Sequence, residues 1–283
     1  MTSASAGISR RQMLGLGAGA LALSGLAPRL RADVERKIPI GVQLYSVRDV
    51  CAKDPAGTIA AIAKMGYQGV EFAGYHGRSA TDLRKMLDDN GIRCCGTHTG
   101  LNTLLGDELE KTIEFNRTLG NAYLIVPGMG NDRLGTAQAC ADTAKLFTEL
   151  AEKLKEHRMY TGYHAHAGDF AKIDGKTRWE HFFDAAGPAV VMQMDTSNAT
   201  GGGADPVALL KKYPGRSLTV HLKEHGGPKG AVIGEGRIDW KGVFEVCETT
   251  GGTQWYIVEH ESAVASSMDA IKGCLDGLRK MGK

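Results

Sequence analysis

No CxxC pair occurs among the six cysteines, Cys51, Cys94, Cys95, Cys140, Cys247 and Cys274. A thiolate zinc site is therefore not indicated, and small buried side chains are the expected reading for most of them. No long block of Lys and Arg occurs either, and the net charge is only +2 over 283 residues. A nucleic-acid surface would show a concentrated basic face, so that partner class is disfavoured. No GxGxxG turn follows the first predicted strand, where the chain reads QLYSVRD, and this disfavours an open dinucleotide-binding sheet. No linker or low-complexity stretch interrupts the pattern after residue 38, which predicts one domain.

The N-terminus also lacks a run long enough to span a bilayer. The stretch LGLGAGALALSGLA is Gly-rich and follows SRRQM at Ser9–Met13. Together they resemble a twin-arginine export signal. Residues 1–32 are thus expected to be a leader, and the mature chain to be periplasmic and without a membrane anchor once the leader is removed.

The rest has an ordinary globular composition, 42% hydrophobic and 23% charged, with 38 glycines that favour tight loops. One unit repeats eight times: an apolar run, a polar residue at its end, a Gly-containing loop, then a stretch of helical period. The runs are Ile38–Tyr45, Gly69–Phe72, Ile92–Thr97, Ala122–Val126, Met159–Tyr163, Ala189–Met194, Ser217–Val220 and Gln254–Val258. Helices are predicted at Pro55–Lys64, Thr81–Asn90, Asp107–Leu119, Thr136–His157, Arg178–Ala185, Pro206–Lys212, Trp240–Thr249 and Ala265–Met281. Strands alternating with helices imply a parallel sheet, and eight such units in about 250 residues fit a (β/α)8 TIM barrel over residues 38–281.

Active sites of such barrels lie at the C-terminal ends of the strands. Those ends here carry Gln43 and Tyr45, Glu71, His98, His164 and His166, Asp195, His221 and Lys223, and Glu259; only the fourth is bare. Asp195, His221, Glu259 and an imidazole from strand five form a mixed nitrogen–oxygen set. It suits one divalent ion such as Mn²⁺, Co²⁺, Zn²⁺ or Fe²⁺. Taken alone, a strand-end Asp more often caps a loop. Glu71 and His98 are candidates for substrate contact or acid–base work, the alternative being a pair that braces two strands. Lys223 beside a metal is expected to have a lowered pKa and to exchange protons. Alternatively it forms a salt bridge with Glu224, Glu259 or Glu261. In the loop GEGRIDW, Asp239 is expected to cap a helix, while Glu235 is a candidate substrate contact. Trp179, Trp240, His76, His157 and His181 receive structural readings.

The segments GVQLYSVRD, GYQGVEFAGYHG, GTHTGL, GYHAHAGDF, DTSNAT, VHLKEH, GEGRIDW and IVEHES resemble the xylose-isomerase-like barrel proteins. These are usually named sugar phosphate isomerase/epimerase and share a superfamily with endonuclease IV. The resemblance implies a metal held by Glu, Asp, His and Glu from strands five to eight. Asp195, His221 and Glu259 match the last three positions. The first departs, and a subgroup with YHNHDFEF there implies His164 or His166 as the ligand, His164 being preferred with His166 beside it. The activity implied is metal-dependent isomerisation or epimerisation of a keto or aldo sugar through an enediolate. Glu259, Lys223 or His166 would move the proton, and Gln43, Tyr45, Glu71, His98 and Glu235 would contact substrate. Two alternatives stand beside it. One is dehydration or lysis of a keto-polyol or 3-keto-glycoside on the same site. The other is an exported sugar-binding accessory protein without catalysis. The expected partner is a small sugar, with homo-oligomerisation left open.

Overall fold

A computed structural model describes residues 1–2, 37–262 and 266–283. Beyond Met1 and Thr2, the expected leader lies outside the described residues. The remainder is a closed barrel of eight parallel strands. They are β1 Ile40–Gln43, β2 Gly69–Phe72, β3 Arg93–His98, β4 Tyr123–Val126, β5 Tyr160–His164, β6 Val191–Asp195, β7 Thr219–Leu222 and β8 Trp255–Val258. Each pairs with its sequence neighbours, and β1 closes on β8.

Between the strands run α1 Pro55–Met65, α2 Ala80–Asp89, α3 Glu108–Leu119, α4 Ala137–Lys155, α5 Arg178–Ala185, α6 Pro206–Lys212 and α7 Trp240–Thr249, and α8 Ser267–Lys280 follows β8. Their starts are dictated locally. Asp54, Ser79, Thr136, Asp205, Asp239 and Ser266 each accept a backbone N–H of the first turn, and Thr177 with Glu180 forms a capping box. Among the described residues no helix is long and apolar enough to cross a membrane.

The predicted units are all present, with shifts that matter at two strands. The sixth run begins two residues later than expected and includes Asp195, and the seventh is Thr219–Leu222 rather than Ser217–Val220. His221 therefore sits inside a strand, held by a ladder on both sides. Short elements fill loops read as irregular. They include helices at Arg48–Cys51, Asn131–Leu134 and Thr196–Gly201, and 3-10 turns at Leu44–Val47, Leu101–Leu104 and Ala167–Phe170.

Alternation along the strands sends every second side chain into the barrel. A small apolar cluster of Cys95, Tyr123, Ile125, Val191, Trp255 and Ile257 is distinct from the larger core. On the same faces, two residues further along, lie Gln193 beyond Val191 and Glu259 beyond Ile257. The interior thus changes from apolar to polar toward the C-terminal end. All six cysteines are buried and free. Burial pushes the thiols of Cys94, Cys247 and Cys274 up to about 12 and that of Cys51 up to about 11.

Gly162 in β5 has no room for a side chain, because a Cβ there would land on the Val191 carbonyl oxygen of the neighbouring strand. Backbone cannot move aside without breaking the ladder that aligns His164 with Gln193. Gly162→Ala is expected to cost about 1–3 kcal/mol, the usual penalty for overpacking. Urea unfolding measures it; an unchanged midpoint would show that the two strands are loosely packed.

Candidate active site

The imidazoles and carboxylates expected at the strand ends do converge. Ligand atoms of His164, Asp195, His221 and Glu259 all lie within 4.8 Å of one another, and all four residues are buried. His164 and Gln193 face each other across β5 and β6, and Asp195 faces His221 across β6 and β7. His98 closes the group, its ring stacked on His221 at 5.4 Å and tilted against His164 at 4.8 Å.

Hydrogen bonds assign the free atoms. The Gln193 amide nitrogen donates to Glu71 Oε1 at 2.8 Å and to Thr219 Oγ1 at 2.9 Å, which fixes its orientation. Its oxygen then accepts from His164 Nδ1 at 3.0 Å and from His98 Nε2 at 2.9 Å. His164 is left with the lone pair of Nε2. Burial first, then the nearby His221 and His98, hold its pKa far below the ordinary value, so the ring is neutral. His221 uses Nε2 toward Glu71 Oε2 at 2.6 Å, leaving Nδ1 beside Glu259 Oε2 at 2.5 Å. Burial lowers the His221 pKa, but Glu71 and Glu259 outweigh it and raise it to about 10.

Asp195 does two jobs. Oδ1 accepts the Asn198 N–H at 2.6 Å and caps the short helix Thr196–Gly201. Oδ2 is buried without a hydrogen-bond partner. Burial, reinforced by Glu259 and opposed by Lys223, pushes this carboxyl up to about 7. A buried, unpartnered carboxylate oxygen facing two imidazoles and a second carboxylate is what a cation site looks like before the charge is supplied. The residues fit the expected ion: His164 Nε2, Asp195 Oδ2, a Glu259 oxygen and, once its proton is displaced, His221 Nδ1 can hold a divalent metal. The Glu71 carboxylate behind His221 fixes the tautomer, as acids behind metal-ligating imidazoles do.

Several expectations need correction. Glu71 and Gln43 are fully buried and have no polar atom left for a substrate. Gln43 donates to Glu71 Oε2 at 2.7 Å and accepts the Tyr45 N–H. Glu71 also takes His98 Nε2 at 3.2 Å, so the pair braces the strands. Burial raises the Glu71 pKa, but His98 and His221 outweigh it and keep the group ionised. Glu235 is exposed and spends its carboxylate on the Val232 N–H at 3.1 Å. For Lys223 the structure shows the salt-bridge alternative: among the protein's own groups, burial lowers its pKa, yet Glu259 and Asp195 outweigh that and raise it. Its ammonium is 3.3 Å from Glu259 Oε1 and also pairs with Glu261.

Tyr45 is exposed, with the Arg48 guanidinium over its ring at 4.2 Å. His166 is exposed and packs edge-on against His164 at 4.9 Å. Burial, its largest influence, lowers its pKa. Asp239 caps α7, and Trp179 and Trp240 are core.

Two organising residues escaped sequence reasoning. Gln193 stands two places before Asp195 in VMQMD, a lone amide on the face that carries the ligand, and that spacing was the available signal. Glu224 accepts N–H groups from Gly234, Ile238, His225 and the Trp240 indole, pinning the loop after β7. Nothing in HLKEH marks it out from its neighbours.

A family model described as xylose isomerase-like TIM barrel matches residues 59–281. This chain belongs to that family. Within the xylose isomerase-like barrels, it is 26% identical to the inosose dehydratase of Klebsiella pneumoniae over 244 residues, covering 72% of this chain and 81% of the relative. A crystal structure of a sugar phosphate isomerase/epimerase from Parabacteroides distasonis superposes with a TM-score of 0.75 at 24% identity, covering 86% of this chain and 98% of the other. The IolI protein, crystallised with a zinc atom, superposes with a TM-score of 0.67 at 13% identity, covering 86% and 97%.

Proposed function

We propose that this barrel is a divalent-metal-dependent lyase that takes a proton from carbon next to a ketone on a sugar or polyol ring and expels the β-oxygen. The unpartnered Asp195 Oδ2 among His164, His221 and Glu259 carries the reading. When bound, the ion, one of Mn²⁺, Co²⁺, Zn²⁺ or Fe²⁺, withdraws electron density from the ketone and its neighbouring hydroxyl and so acidifies the C–H. The His166 ring, exposed and packed edge-on against His164, accepts that proton. The C–O bond to the β-carbon breaks as the C=C bond forms. The departing oxygen takes a proton from Lys223 Nζ and leaves as water or an alcohol. Glu259 Oε1 keeps that ammonium in place. The dehydratase relatives support elimination.

So does the first ligand position. An epimerase working with two carboxylates needs a base there, whereas His164 is buried, neutral and tied to Gln193 through Nδ1. Isomerisation or epimerisation is a second reading, favoured by the exposed His166 as an acid on the other face.

The test is incubation with Mn²⁺ and an inosose or a 3-keto-glycoside in D₂O. Elimination predicts loss of water or alcohol and a new enone absorbance, abolished by chelator. An epimer labelled with deuterium at the inverted carbon would favour the second reading. Neither exchange nor elimination on any keto substrate would overturn both.

A further inference from the structure

A cavity of about 360 Å³ lies beside the cluster, at the C-terminal end of β2 and β3 and against α3. His98 is part of its wall, and the same ring stacks on His221. One imidazole therefore walls both spaces. The cavity also holds an aromatic pair, Tyr75 and Phe115, with ring centroids 4.2 Å apart and planes at 34°. The Tyr75 hydroxyl lies 3.4 Å from Oδ1 of Asn116, another wall residue, which steadies the ring. On the lining, Thr103 Oγ1 donates to the Gly100 carbonyl at 2.8 Å and Thr112 Oγ1 to the Thr103 carbonyl at 2.7 Å, while the exposed Glu108 and Lys111 pair with each other at 2.6 Å. What remains is a ring-sized, mainly apolar space with a fixed aromatic side.

We propose that this cavity is the subsite for the leaving portion of the substrate, and that it selects a flat aryl group joined to the reacting ring. The inference rests on the reading that the reacting ring sits at the cluster. It makes the substrate class an aryl glycoside in keto form, whose phenol departs, rather than a lone polyol. Tyr75 and Phe115 are then specificity-determining residues that touch the departing ring and take no part in proton transfer.

The experiment uses the full chain without added metal and compares phenyl with methyl β-glucopyranoside by titration calorimetry and saturation-transfer NMR. The phenyl compound is expected to bind about tenfold tighter, a ratio that corresponds to one good aromatic stack. Phe115→Ala and Tyr75→Leu should each remove most of that preference, while circular dichroism and Mn²⁺ uptake remain as in the parent. Equal binding of the two glycosides overturns the subsite, as does a preference that survives both substitutions. Turnover of a simple inosose with no aryl preference removes the subsite and leaves the lyase reading standing. Aryl preference without any enolisation does the reverse.

Discussion

Asp195→Asn is expected to give a folded protein that takes up no divalent metal. Asparagine keeps the oxygen that caps Thr196–Gly201 through the Asn198 N–H and replaces the unpartnered oxygen with a donor that no cation accepts. Melting temperature without metal should stay within roughly 2–4 °C of the parent, the span of about 1 kcal/mol in a domain of this size. Relief of the burial cost of the carboxylate and of its repulsion by Glu259 works in the stabilising direction, against the lost attraction of Lys223. Added Mn²⁺ is expected to raise the melting temperature of the parent, as a ligand of the folded state alone would, and to leave the variant unmoved. Elimination activity should fall by about 10²–10³-fold, as when one electrostatic partner is deleted from a preorganised site. Asp195→Ala differs by a further loss of about 1 kcal/mol from the missing cap. A variant that binds one equivalent of Mn²⁺ with parental affinity would show that the ion sits elsewhere.

The second large effect is expected at Gln193. Gln193→Leu fits the space but strands His164 Nδ1 and Glu71 Oε1, which meet the amide at 3.0 and 2.8 Å, and leaves His98 Nε2 only Glu71 Oε2 at 3.2 Å. Each orphaned buried group costs about 1–3 kcal/mol, though relaxation will share some of it. A His164 ring without its Nδ1 partner is free to rotate. Metal affinity should therefore drop about 10–100-fold, as it does when the residue behind a ligand is removed. Gln193→Glu should not rescue it, because an oxygen would then oppose the Glu71 carboxylate. Denaturant midpoint and metal titration read the two effects separately. Unchanged metal affinity in Gln193→Leu would mean that the His164 ring is set by packing alone.

The barrel was legible because its signal is repetitive. Apolar runs, Gly loops and helical periods recur, and polar residues gather at one end of the runs. Helix boundaries such as Arg178–Ala185 and Trp240–Thr249 could be read to the residue, since Thr177 and Asp239 are local caps. The cluster was legible for the same reason, as strand ends converge in any closed barrel. Direction was not. Whether Glu71 faces a substrate or supports His221 depends on partners 122 and 150 residues away, and no local pattern carries that. The two-residue displacement of β7 depends on which backbone groups the neighbours offer. Segments as short as Thr196–Gly201 contain too few residues to display a period. For Lys223 the sequence offered both a metal neighbour and a salt bridge to Glu224, Glu259 or Glu261, and the ion pairs with Glu259 and Glu261 follow the second.

Six buried thiols, none of them paired, have a consequence for maturation. Their raised pKa values keep the reactive anion scarce, and their burial keeps oxidants and disulfide partners out. The folded barrel should resist alkylation by iodoacetamide and needs no oxidoreductase to reach its native state. A scaffold of that kind can acquire its shape in a reducing compartment and keep it in an oxidising one.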